Sequence, residues 1–226
     1  MGREGANLRK ALQSGLRHVA ARVTAGGVSV LIRFLTAPQA LYTVALPPGV
    51  QRVYFANHCS NADAVLIWAV LPPEVRARTR PVAAADYWLK NRLRQFMGRD
   101  VFKVLLIERL RENRSENPVE RMIAAVDEGA SLIIFPEGRR NESDEMLLEM
   151  RPGIYHLGQA RPDLELVPVW IHNLNAVLPR GSLVPVPLLC TVGFGAPMRP
   201  GAAESKEAFM ARARAALLAL APKEGP

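Results

Sequence analysis

A single α/β domain, with a mostly parallel mixed sheet flanked by helices, is the fold class this sequence predicts. Three observations carry it. Short apolar runs of strand length close at Phe55 and recur at 82–85, 104–107, 131–135, 166–171 and 188–192. Between them lie stretches whose apolar residues return at helical spacing. The chain has 226 residues, 49% of them hydrophobic, which suffices to bury a sizeable core as one domain. No internal repeat interrupts this pattern, and the expected division is an N-terminal helical segment over 1–48 followed by the main domain over 49–226.

The N-terminal segment opens with Arg3, Arg9, Lys10, Arg17 and Arg22 against one acid, Glu4, while Leu8, Leu12, Leu16, Val19 and Val23 recur at helical spacing. A basic amphipathic helix of this kind either lies on an anionic membrane surface or packs on its own domain with a solvated basic face. The following stretch, 23–48, carries one charge, Arg33, and is punctuated by Gly26, Gly27, Pro38, Pro47 and Pro48. The glycines predict a break and a second short helix over 28–35. No uninterrupted apolar run reaches the ~20 residues that span a bilayer, so association in the membrane plane is expected rather than crossing.

The stretch 54–72 then joins a strand end to a buried helix, and its reactive side chains sit at the junction. Ser60 and Asp63 have the spacing of a capping box, with Ser60 as N-cap. That spacing places the Asp63 carboxylate near His58. A carboxylate there accepts a hydrogen bond from one imidazole nitrogen, fixes the tautomer, and leaves the other nitrogen to take a proton from a hydroxyl.

Beyond Pro72 and Pro73, a basic loop with Arg76, Arg78 and Arg80 leads to the strand at 82–85 and then to one helix holding Tyr87, Trp88, Leu89, Leu93 and Phe96. The strand at 104–107 ends in Glu108 and Arg109, where a charged side chain is well placed to face a ligand. Asn117 and Pro118 start a helix with an apolar stripe of Val119, Met122, Ile123 and Val126, and Gly129 stops it. The strand at 131–135 feeds a turn reading Pro136, Glu137, Gly138, Arg139, Arg140. Glycine permits close backbone approach there, and guanidinium groups bind phosphate bidentately, so the turn is a candidate anion site. Residues 141–149 read as a mobile acidic loop. His156 is expected to be packed, the strand at 166–171 to lie at an edge because of Pro168, and Ser205 to cap a terminal helix.

The formal net charge of +8 implies an anionic partner: a phosphorylated substrate, an acidic lipid surface or nucleic acid. Nucleic acid is disfavoured, because the aromatics beside Lys90, Arg92 and Arg94 sit at the helical spacing of a core face. Two cysteines, Cys59 and Cys190, form neither a disulfide framework nor a zinc-ligand cluster, so a reducing, cytosol-facing setting without a structural metal is expected.

Taken in order, Asn57-His58-x-Ser60-x-x-Asp63, Ile107-Glu108-Arg109, Phe135-Pro136-Glu137-Gly138-x-Arg140 and Val167-Pro168-Val169 resemble the blocks of the glycerolipid acyltransferase family, most closely the lysophosphatidate acyltransferases. The resemblance spans about residues 50–200, rests chiefly on the first and third blocks, and implies a glycerol-3-phosphate acyltransferase-like fold for 49–226. It further implies transfer of a fatty acyl group from an acyl-CoA or acyl carrier protein thioester to a lysophospholipid hydroxyl, lysophosphatidate first among acceptors, with no metal or other cofactor. By the same resemblance His58 is the general base and Asp63 its orienting partner, and Arg109, Glu137, Gly138, Arg139 and Arg140 bind the glycerol phosphate. Arg139 stands where the family has Thr, which adds a charge near the phosphate. Members often carry membrane-spanning helices; the amphipathic start here implies a peripheral enzyme on the cytoplasmic side of the cell membrane.

Two other readings compete. Cys59 could be the nucleophile of a hydrolase, although neighbouring residues on an extended chain point to opposite faces and set it poorly against His58. Alternatively, the basic surface could belong to a non-catalytic module that binds nucleic acid or anionic lipid, or the acceptor could be another lysolipid.

Overall fold

The core of the sheet is written in alternating side chains. On β2 (Arg52–Ala56), Tyr54 and Ala56 point to one apolar layer while Val53 and Phe55 point to the other, and all five residues are buried. The same alternation runs through β5 (Ser131–Ile134), with Ile133 against Leu132 and Ile134, and through the central part of β6 (Glu165–His172), with Val167 and Val169 against Leu166 and Trp170. A sheet apolar on both faces needs helices on both, and a three-layer sandwich results. These statements come from a computed structural model, which describes residues 2–108, 117–174 and 190–222.

In chain order, α1 (Gly2–Thr36) and β1 (Gln39–Tyr42) precede β2; α2 (Asp63–Val70) and α3 (Pro73–Arg78) lead to β3 (Thr79–Ala84). Two short helices, α4 (Ala85–Trp88) and α5 (Arg92–Phe96), run into a π-helical turn (Met97–Val101) and β4 (Leu105–Ile107). Then follow α6 (Pro118–Asp127), β5, α7 (Gly153–Ala160), β6, β7 (Thr191–Phe194) and α8 (Lys206–Leu218). Among the described residues the sheet has seven strands in the order β1-β7-β6-β2-β5-β3-β4. Every adjacent pair is parallel except β6 with β7. One layer is built from α1, α2 and the π-helical turn, the other from α6, α7 and α8. The fold class is therefore the expected one, and β2 and β5, which carry the reactive turns, are neighbours at its centre.

Several local expectations change. Gly26 and Gly27 do not break α1, which runs unbroken to Thr36. Two glycines cost about 1 kcal/mol each relative to alanine; packing of Ala21, Ala25, Val28 and Ile32 on the domain opposes that cost. β1, before residue 48, pairs with β7 and is part of the sheet. The segment holding Tyr87 to Phe96 is two helices, because Asn91 is extended (φ −150°) and spends its side chain capping the Arg94 N–H. Arg76 and Arg78 lie on α3, which Pro73 starts, rather than in a loop.

Pro168 was expected at an edge but sits on β6, between β2 and β7. Its carbonyl accepts from Gly195 N at 2.9 Å, so its backbone faces β7. At that point the ladder has already ended at the Val169–Phe194 pair, and the next contact is the isolated Leu166–Met198 bridge. The missing N–H therefore falls in a gap and removes no ladder bond. Other signals read as anticipated: Asn117 caps α6, Gly129 follows it with φ +87°, and Ser205 caps α8 by accepting from Ala208 N.

Candidate active site

Parallel register brings the two turns together. Val53 pairs with Leu132 and Phe55 with Ile134; carried forward by the same offset, His58 falls opposite Glu137. The His58 N–H donates to Glu137 Oε1 at 2.7 Å, and the His58 carbonyl accepts from Asn141 N at 2.7 Å. Just upstream, the buried Asn57 amide donates to Ile171 O at 3.0 Å and accepts from Ile171 N at 2.8 Å, continuing the β2–β6 pairing through a side chain. The main chain bearing His58 is thus pinned to β6, to the turn after β5, and to the loop beyond it. Asn57 has no chemical signature in the sequence beyond its place beside His58.

Asp63, the first residue of α2, is fully buried. Its Oδ2 accepts from His58 Nδ1 at 2.8 Å, Cys59 N at 2.7 Å and Ser60 N at 2.8 Å. A carboxylate surrounded by donors has only lone pairs to offer, so Nδ1 carries the proton and Nε2 is the basic nitrogen. The His58 ring also stacks on Phe135, with centroids 4.3 Å apart and planes 22° from parallel. Hydrogen bond and stack together fix the ring in one orientation. The expected capping box is made by half: Asp63 reaches back to the Ser60 N–H, but Ser60 Oγ accepts from Ala62 N at 3.3 Å and the N-cap position is Ala62.

Cys59 lies close by, with its Sγ 3.5 Å from Asp63 Oδ1. Burial, and after it the Asp63 charge, push its thiol far above the ordinary range, opposite to what a nucleophilic cysteine needs.

The turn after β5 divides into strut and cleft. Glu137, expected to touch the glycerol phosphate, is 4% exposed, and its second oxygen accepts from Leu148 N at 2.9 Å. Burial raises its pKa, against the pull of the two N–H donors. Both oxygens are therefore committed to backbone, and a carboxylate has the wrong sign for a phosphate, so Glu137 holds the His58 turn to the 141–149 loop. Gly138 adopts φ +68°, and a Cβ there would meet Arg151 Nε at 2.6 Å. Its conformation turns the chain under an exposed Arg151 guanidinium rather than clearing room for a ligand. Gly138→Ala is expected to destabilise the fold by about 1–2 kcal/mol, the cost of left-handed backbone for an L-residue, read as a lowered Tm.

Arg139 and Arg140 line an open cleft of about 540 Å³ together with His58, Asn61, Glu142 and Leu148. Arg140 donates through Nε to Glu142 Oε1 at 3.1 Å and through Nη2 to the same oxygen. The 141–149 loop, expected to be mobile, is organised around Asn141: its side chain donates to Glu145 O and accepts from Ser143 N, while Leu147 and Leu148 are buried. Arg109 lies outside the described residues. His156 is exposed on α7, not packed, and takes no part in the cleft.

The sites are thus reduced to a ring nitrogen with a buried acid behind it and two guanidinium groups in front. The acyltransferase family model matches residues 42–172, more than half of the chain and the whole of β2 through β6. No curated protein matches. Among solved structures, the chain is similar to the crystal structure of the 1-acyl-sn-glycerophosphate (LPA) acyltransferase PlsC from Thermotoga maritima. The TM-score is 0.64 at 15% identity, over 96% of this chain and 87% of that one.

Proposed function

Since the chain belongs to the acyltransferase family, we propose that it moves a fatty acyl group from an acyl thioester to the hydroxyl of a lysophospholipid, with lysophosphatidate as acceptor and phosphatidate as product. The observation that carries this is the His58–Asp63 pair, 2.8 Å apart, opening onto a cleft that also holds Arg139 and Arg140. His58 Nε2 takes the proton of the acceptor hydroxyl as its oxygen attacks the thioester carbonyl. Asp63 stabilises the imidazolium. Collapse of the tetrahedral adduct breaks the carbon–sulfur bond, and the imidazolium returns the proton to the departing thiolate of coenzyme A or of a carrier protein. No protein nucleophile is required, which agrees with the elevated Cys59 thiol pKa.

The acceptor's phosphate would bind between Arg139 and Arg140, displacing Glu142 from the Arg140 fork. Arg140→Ala is expected to raise KM for lysophosphatidate about 10- to 100-fold, the loss of one charged hydrogen-bonded contact, with KM for the thioester within about twofold of the parent. An equal rise for both substrates would indicate general damage. A panel of labelled lysolipids offered with both donor types tests the reading as a whole; no transfer to any lysolipid would refute it.

α1 fits an enzyme that draws its acceptor from a bilayer. By length and composition Lys10–Thr36 is apolar enough to cross a membrane. Yet Ala21, Ser29 and Thr36 are buried against the domain, and Arg33 donates to Ala69 O at 2.9 Å, while Leu12, Leu16, Val19, Val23, Val30 and Phe34 form an exposed stripe on the opposite face. From Ala21 onward the helix is fastened to the folded domain, and the half before it carries Arg9, Lys10 and Arg17, so neither half is suited to thread a bilayer. We therefore place α1 in the plane of an anionic membrane surface, on the cytoplasmic side, with the outer stripe among the lipid chains.

A further inference from the structure

The segment joining β3 to β4 departs from the carboxyl end of a strand parallel to β2, the end at which His58 lies. Its inner side is committed. Trp88 sits against Gly98 and meets Phe102 edge-on at 6.0 Å, and Phe96 and Met97 pack on the core. The outer side is not. Leu93 is 70% exposed, and Tyr87 and Leu89 are exposed beside it. Interleaved with them are Lys90, Arg92 and Arg94, and among the described residues none of these three makes an ion pair. Arg94 lies over the Tyr87 ring at 4.3 Å. Unpaired cations set among exposed leucine and tyrosine form a surface that is both basic and apolar. Of the neighbouring acids, Asp86 on α4 has a partner of its own and Asp100 is already held by Arg17 of α1 at 2.7 Å.

We propose that α4 and α5 form a second membrane contact, selective for anionic lipid, beside the one made by α1. The patch rests on the interfacial reading of α1 and adds a charge-selective component to it. Continuity favours a bilayer as the occupant: the Arg17–Asp100 bond ties the π-helical turn after α5 directly to α1. Charge favours an anionic one, because Lys90, Arg92 and Arg94 meet lipid phosphates while Leu89 and Leu93 enter the headgroup boundary and Tyr87 sits at its level. One helix alone leaves the domain free to roll about its axis. A second contact on the His58 end of the sheet removes that freedom and holds the cleft toward the surface from which a lysolipid must come.

Co-sedimentation with two vesicle types tests this: pure phosphatidylcholine, and phosphatidylcholine with one third phosphatidylglycerol. The parent's binding to the neutral vesicles reports on the apolar contacts, those of α1 together with Leu89 and Leu93, without the charge-selective component. In the variant K90Q/R92Q/R94Q, binding to the anionic vesicles is expected to fall about 100-fold, roughly fivefold per charge removed. Binding to neutral vesicles and activity on detergent-dispersed substrate should stay within about twofold. Leu93→Ser is expected to weaken binding to both vesicle types, and K90R/R92K to restore the parental preference. Undiminished anionic binding by the triple variant would overturn the proposal. So would an equal loss on both vesicle types, or intact vesicle binding with a raised KM for a carrier-protein thioester, which would assign the patch to an acidic protein.

Discussion

Replacing His58 by alanine is expected to lower kcat/KM about 10²- to 10⁴-fold, the range contributed by a positioned general base, while the protein stays folded. The second half of that expectation follows from how the residue is held. Its backbone N–H and carbonyl are anchored by Glu137 and Asn141 whatever side chain is present, so the turn survives truncation. The ring's own contacts are the hydrogen bond to Asp63 and the stack on Phe135. Asp63 still has the N–H groups of Cys59 and Ser60 to satisfy Oδ2 after the ring is gone. Release of free thiol from an acyl thioester, measured with and without acceptor, gives the rate, and a thermal melt gives the control. A rate within tenfold of the parent would remove His58 from the role of base.

Asp63 should separate into two effects when substituted in two ways. Asp63→Ala leaves the N–H donors of Cys59 and Ser60, both on half-buried residues, without their acceptor, at about 1–3 kcal/mol each. A combined loss of roughly 2–6 kcal/mol is a large part of the 5–15 kcal/mol that holds an average domain together. Activity should fall with it, since nothing then orients the imidazole. Asp63→Asn keeps the shape: because all three strong donors converge on Oδ2, an amide oxygen in that place can accept from each. It is expected to fold with a Tm near that of the parent, yet to lose about 10- to 100-fold in kcat, because a neutral amide does not stabilise the imidazolium as a carboxylate does. Equal kcat values for Asp63→Asn and the parent would confine Asp63 to a structural role.

The difference between these residues and their neighbours marks how far local spacing reaches. His58 and Asp63 are five positions apart at a strand-to-helix junction, and any turn tight enough to join those elements brings them close. α6 is equally local, since Asn117, its apolar stripe and Gly129 all lie within one helix and its two ends. Glu137 is the contrary case. Its motif suggests a ligand-facing acid, but its partners are the backbone of His58, 79 positions away, and of Leu148. Those contacts exist only because β2 and β5 pair in one register. Arg139 and Arg140 do face the cleft, as their guanidinium chemistry suggested, yet nothing in their spacing foretold that Glu142 would fill the Arg140 fork. The 141–149 loop read as mobile because its charges are local and visible, whereas the burial of Leu147 and Leu148 is not.

From its residues alone this protein determined its class of fold, the alternation of most of its core strands with helices, the pairing of a histidine with an acid, and a basic turn after the strand at 131–135. Each of these depends on contacts within a few positions or on a period along one element. Tertiary structure alone decided that Pro168 lies inside the sheet, that α1 continues through two glycines, that Glu137 is a strut, and that apolar side chains of α1 and α5 are left facing outward. All four depend on which distant segment lies alongside, and that is settled by strand register and layer packing, which no single stretch of the chain contains.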